Sequence, residues 1–446
     1  ITANGDPTAS TDSPFDDPSG FVFGESGSES VIKCGSYVGN GSTTGPEINL
    51  GWEPQWVMVK NSGGTGTWTM FDAMRGIPTD GNDGRLNANA TDAEVTSANW
   101  LDLTPTGFKL KTAYSDSNSN ADSYIYIAIR RSDGYVGKPA DAGTGVFAMD
   151  VGNSSSTIPT YDSGFPVDFA LQRKPATTFG WDAVSRLTGT KYLQTNDDGA
   201  EADYTQYTFD SNTGWAKDSG CDATFQSWMW KRHAGFDVVA FQGTTANPGP
   251  SYRHSLGKVP ELKILKRRNA NTDWFVTGTA LSQAVGGNNN AKDYYLNLNS
   301  ADAATTHSNY WEGGNDTSTH FTVRHGNSWV GGSDDPFLCL LLASVSGISS
   351  VGSYTGNGSS SGPTITTGFT PKFILIKSTT TAESWWVADT LRGLGTSSDK
   401  LVALDSSFAQ NSQTQNITTS STGFTIIRNW APINQNNVKF IYYAHA

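Results

Sequence analysis

Short apolar runs, each bracketed by glycine, proline and small polar residues, recur along the whole chain. In "YIYIAI", Tyr124, Tyr126 and Ala128 fall on one face of a strand and Ile125, Ile127 and Ile129 on the other, because side chains alternate along an extended backbone. Both faces are apolar, which predicts a central strand covered on both sides. "FILI" at 373–376 and "FLCLLLA" at 337–343 read the same way and are too short and too tightly bracketed for ordinary helices. Helical periodicity persists nowhere beyond two turns. The best helical pieces are "TDAEVTSA" at 91–98 and "NSADAATTH" at 299–307, where Thr-Asp or Asn-Ser is placed to cap a turn or two.

The runs are organised by a repeat. "GSYVGNGSTTGPEINLGWEPQWVMVK" at 35–60 returns as "GSYTGNGSSSGPTITTGFTPKFILIK" at 352–377 without insertion. Asn40-Gly41 and Asn357-Gly358 suit tight reversals. The phrase opens a template that continues through an apolar strand ending in Lys or Arg, a Trp strand, Asp-x-x-Arg-Gly, Thr-Gly-Phe and a closing apolar strand. Two degenerate copies lie between. The reading is all-β, with tandem antiparallel β-sandwich (jelly-roll-like) units at 31–137, 138–235, 236–347 and 348–446 and an extended arm at 1–30. Within the arm, Phe21, Val22 and Phe23 are the one apolar triplet. They are placed to add a strand to a neighbouring subunit, and a disordered leader is the alternative.

Composition sharpens this picture. The chain has 446 residues, 36% hydrophobic, 11% aromatic and 16% charged. Glycine and small polar residues with abundant aromatics fit many strands and tight turns and not disorder. The net charge of −12 argues against nucleic acid. Three distant cysteines make no disulfide framework, and Cys339 reads as a small buried apolar residue. No apolar stretch is long enough to span a membrane. The numbering opens at Ile1 without a signal peptide, which reads as a processed product or a fragment.

The phrases quoted above, with "FDAMRGI", "YIYIAIRRSDGYVGKP", "WMWKRHAGFDVVAFQG" and the closing "YIYYAHA", resemble tandem repeat domains of uncharacterised tail-associated structural proteins of marine and cyanobacterial phages. The resemblance spans 31–446. It implies a component of a virion or an extracellular appendage and carries no catalytic or binding residues with it.

The candidate chemistry is sparse. Asp72 with Arg75 and Asp389 with Arg392 follow a Trp at one spacing. They read as structural ion pairs at a strand end, with Gly76 and Gly393 turning the chain; a base and an oxyanion clamp is the functional alternative. The second unit keeps Arg186 and shifts its Asp, and the third has neither. His320 and His325 in "HFTVRH" point to opposite faces of a strand and do not share a metal. Asp197 and Asp198 in "NDDG" are the first place to look for calcium, and no other cofactor is expected. No nucleophile elbow, Walker loop or zinc helix is present, so no enzyme is expected. Trp228 and Trp230 share a face, and the adjacent Trp385 and Trp386 do not. All four are candidates for sugar or subunit contact, with packing between sheets or units as the plain alternative. The expected function is a non-enzymatic structural protein of a phage tail or extracellular fibril. It would act outside the cell or on a virion, as a homo-oligomer or helical assembly that meets other virion proteins. Alternatives are an adhesin for host surface glycans and, further off, a polysaccharide depolymerase.

Overall fold

The computed structural model describes residues 30–131, 140–244, 251–286, 294–306, 316–323, 334–412 and 415–446. The arm triplet Phe21, Val22 and Phe23 and the histidine at 325 lie outside these residues. Among the described residues the strands fall into four consecutive groups of eight, and every group repeats one antiparallel topology. In the first unit the larger sheet runs first, eighth, third, fourth, fifth strand, and the second, seventh and sixth strands form the smaller sheet. The fourth unit is identical. In the second and third units the sixth strand joins the edge of the larger sheet, leaving a two-stranded partner. The chain is an all-β series of sandwich-type units. Among the described residues no helix is long and apolar enough to cross a membrane.

The eighth strand (Ser123–Arg130, Gln226–Trp230, Pro336–Leu342, Lys439–His445) lies between the first and third in every larger sheet. Central placement suits its continuous apolar run. One face of the larger sheet packs on the smaller sheet of its own unit. In the fourth unit Ile374, Ile376, Phe440 and Tyr442 meet Ile365 and Phe424 in this way.

The other face meets a different partner. Phe373, Leu375 and Tyr443 of the fourth unit join Leu171 and Trp228 of the second and Ile264 and Leu340 of the third in one apolar centre. Only about 40 Å³ of void remains there, so three outer sheet faces close on each other as tightly as an ordinary core. Tandem repeats suggest bodies stacked in a row. The second, third and fourth units instead form a ring, because each has an outer face too apolar to leave in water.

Helix placement also departs from the sequence reading. Residues 91–98 and 299–306 are turns and extended backbone. The longest helix among the described residues is Thr279–Val285, with Ala280, Leu281 and Ala284 buried and Gly286 closing it at φ 84°. It follows the fourth strand of its unit, Phe275–Thr277, where the outer units carry Asp-x-x-Arg-Gly. "TALSQAV" is two turns of small residues, too short for its periodicity to stand out.

Candidate functional site

The ring is held by one contact used three times. In the third strand of each ring unit a cation on the outer face precedes a Trp by eight residues: Arg173 and Trp181, Lys266 and Trp274, Lys377 and Trp385. The indole N–H of Trp181 donates to Ala403 O at 2.7 Å. Trp385 donates to Asn297 O at 2.9 Å, and Trp274 donates to Gln194 O at 2.9 Å. The second unit therefore reaches the fourth, the fourth the third, and the third the second.

The cations follow the same circuit. Arg173 Nη2 donates to Phe408 O at 2.8 Å, Lys377 Nζ to Ala301 O at 2.7 Å and Lys266 Nζ to Asp198 O at 3.1 Å. A backbone bond returns each time: Gln410 N to Pro175 O at 2.7 Å, Ala304 N to Thr379 O at 2.9 Å, and Glu201 N to Arg268 O at 2.7 Å. These bonds occupy the loop at 299–306, where a helix would withdraw the backbone groups its neighbour uses. Burial pushes Arg173 down to about 10 and Lys266 and Lys377 down to about 8. Carbonyl oxygens around each cation supply part of the solvation lost.

The first unit carries the same parts, and among the described residues no other unit meets them. Lys60 and Trp68 keep the eight-residue spacing. Lys60 Nζ donates to Asn61 O at 2.5 Å and Gly64 O at 3.3 Å. Lys266 makes the equivalent bonds within its own loop, to Arg267 O at 2.8 Å and Ala270 O at 3.2 Å, and adds the neighbour's carbonyl. Among the described residues nothing seals the outer face. Ile125 is 41% and Ile129 39% exposed, whereas their counterparts Leu338 and Leu342 are at 1% and 4%. Ile32, Cys34 and Val38 on the first strand are exposed on the same side. The unit is fastened to the ring elsewhere, through Arg232 Nη1 to Glu53 at 2.7 Å, Arg268 Nη2 to Thr79 O at 3.0 Å and Arg186 Nη1 to Ala73 O at 3.2 Å.

The residues singled out by sequence fall mostly inside this framework. Arg75 Nε lies 2.5 Å from Asp72 Oδ2, and Arg392 Nη2 lies 2.6 Å from Asp389 Oδ2. Gly76 and Gly393 follow at φ 113° and 91°. Asp389 also accepts from Trp228 Nε1 at 2.9 Å and Gln226 Nε2 at 3.1 Å, so it joins two units. Arg186 Nε lies 3.5 Å from Asp168 Oδ1.

Trp228, Trp230 and Trp385 are buried in the centre shared by the units, which removes them as platforms for sugars. Trp386 faces its own sandwich at 4.7 Å from Trp430 and is half-buried. Asp197 accepts from Gly199 N at 2.6 Å, and Asp198 offers its carbonyl to Lys266. Among the described residues no three His, Cys, Asp or Glu side chains gather as metal ligands.

Two clefts flank the first unit. The larger, about 610 Å³, lies against the second unit. On its walls Arg75 is held by Asp72 and by Glu94 at 3.0 Å, Asp80 by Lys111 at 2.9 Å and Lys191 by Glu201 at 3.0 Å. Asp203 and Asp210 sit exposed at its edge. The smaller, about 360 Å³, runs between Lys109 and Tyr252.

Sequence reading missed two buried titratable sites. Gly235 N donates to His233 Nδ1 at 3.0 Å, so the ring proton sits on Nε2 and points to His445 Nε2 at 3.4 Å. Burial drives His233 well below its ordinary value and His445 down to about 4, and the pair stays neutral. Burial lifts Asp83 to about 8. Its carboxyl receives Trp100 N at 2.6 Å and Leu101 N at 2.8 Å, just as Asp399 receives Asn416 N and Ile417 N. Repetition of this arrangement in two units marks it as a strand anchor. The two histidines lie 212 positions apart, and no local pattern connects them.

A family model described as Domain of unknown function (DUF7483) matches residues 20–132 and 227–446. No curated protein matches the chain, and no solved structure does.

Proposed function

We propose that this chain, which belongs to the DUF7483 domain family by matches over most of its length, is a non-enzymatic structural component of a phage tail or extracellular appendage. The observation that carries the reading is where the chemistry has been spent. The conspicuous cations and indoles of the ring serve contacts between units, and most charged groups on the walls of the larger cleft are already paired. Repetition of one unit extends contact area without adding chemistry.

The test is purified full-length protein imaged by electron microscopy, screened on a glycan array and assayed for release of reducing sugars from polysaccharides. Discrete assemblies without sugar release support the reading. Release of reducing sugars abolished by Asp203→Asn or Asp210→Asn would replace it with a depolymerase. Glycan binding lost in Trp386→Ala would replace it with an adhesin.

A further inference from the structure

We infer that the first unit closes a homotrimer: three copies of the chain bring their first units together in the arrangement that the other three units adopt within one chain. The inference deepens the structural reading above and rests on it. It begins with a mismatch. "YIYIAI" is apolar on both faces, but among the described residues only the face bearing Tyr124, Tyr126 and Ala128 is buried. In each ring unit the equivalent outer face is buried by two other units.

The equivalence is residue by residue. Pairing of the third and eighth strands matches Trp56 and Ile129 with Phe169 and Trp230, Leu262 and Leu342, and Phe373 and His445. Met58 likewise falls with Leu171, Ile264 and Leu375, which surround the ring's centre. Cys34 takes the place of Val238 and Val351, both buried in that centre.

The polar groups correspond as well. Trp68 N donates to Asn89 Oδ1 at 2.9 Å, as Trp181 N does to Asn196 and Trp274 N to Asn299. The ring's offsets then name three bonds between copies: Trp68 Nε1 to Asn87 O, Lys60 Nζ to Thr91 O, and Glu94 N to Ser62 O. Thr91, Glu94 and Ser62 are exposed in the single chain, and so is Ala88, whose counterparts Thr195, Leu298 and Leu404 are at 2%, 2% and 3%. Trp68 is half-exposed where the three ring indoles are sealed. A head-to-tail contact that returns to its start after three units within a chain does so between chains when the same parts make it.

The full-length chain is the material for the test. Sedimentation equilibrium at micromolar concentration is expected to give three times the 47.7 kDa chain mass, with Cys34 slow toward a maleimide. Ile125→Glu with Ile129→Glu should give monomer, expose Cys34 and leave the thermal transition of the ring in place. Trp68→Phe keeps an aromatic side chain, smaller than the indole, and removes the N–H. It should weaken trimerisation by about tenfold or more, since each trimer then loses three hydrogen bonds. Monomer with reactive Cys34, monomer with protected Cys34 (the face covered by the chain's own arm), a dimer, or a trimer indifferent to both variants would each overturn the inference. Self-association of another order would leave the structural reading standing. Sugar release by an intact trimer would sink that reading and leave the trimer.

Discussion

Replacing Trp385 by Ala tests whether the ring is one cooperative body. The side chain is 1% exposed, and its N–H reaches the third unit. Truncating a buried Trp costs about 3–5 kcal/mol, with the lost bond to the Asn297 carbonyl included. The ring spans residues 147–446, about 300 residues. At about 2.1 cal/mol/K per residue its unfolding entropy is about 0.6 kcal/mol/K, and at about 0.7 kcal/mol per residue its enthalpy is about 200 kcal/mol. A loss of about 4 kcal/mol then lowers a single shared transition by about 6 °C. Independent units of about 100 residues behave differently: the fourth alone would fall by about 20 °C, with an enthalpy near 70 kcal/mol, while the others stayed in place. Differential scanning calorimetry separates the cases, because the van't Hoff enthalpy counts the residues that melt together. Three transitions, two of them unmoved, would refute the idea of a common core.

Two further outcomes follow from burial. Asp389→Ala leaves Arg392 without its partner where the two side chains are 0% and 5% exposed, and it also strands Trp228 of the second unit. The expected loss is about 3–5 kcal/mol. Asp72→Ala acts on a pair 22% and 24% exposed and should cost about 1 kcal/mol or less; equal losses in urea titrations would contradict this difference. His445 has its folded value near 4 against 6.5 unfolded, so the unfolded chain binds the extra proton between those values. Stability therefore falls as pH drops through that window, by about 1.4 kcal/mol per pH unit for this group. Subtracting the profile of His445→Phe from that of the parent isolates the contribution, and a zero difference between pH 6.5 and 4.5 would exclude it.

The fold class was legible because the signals for it are local. Alternation in "YIYIAI" and "FILI", and the turns around Asn40-Gly41 and Asn357-Gly358, depend on neighbours within a few residues. The repeat placed equivalent strands in equivalent order. Packing of the units on each other was not legible. Whether Trp385 faces a sugar, a sister chain or the third unit depends on a partner carbonyl at Asn297, 88 residues earlier, and no periodicity encodes that distance. One signal lay in plain view. Lys60, Arg173, Lys266 and Lys377 each precede a Trp by eight residues, and a cation kept in register with an indole through two degenerate copies points to a shared contact. The His233–His445 pair offered no comparable clue.

The count of units now acquires a physical meaning. Each ring contact presents a cation, an indole and a backbone carbonyl to the next unit at matching offsets, so the rotation between neighbours is fixed by the contact itself. It closes after three steps, and a fourth unit cannot enter without opening the sealed centre of about 40 Å³. The first unit is accordingly attached at the side, through Glu53, Thr79 and Ala73, with its contact surface uncovered among the described residues. A contact that closes on itself cannot also propagate a helix. Trimerisation through that surface therefore ends the assembly it begins. Any filament built from this chain requires a second, different contact, and residues 1–29 are the segment to delete in search of it. Loss of filaments with trimers intact would place the two contacts on separate parts of the chain, and loss of both would show that this segment helps close the first unit.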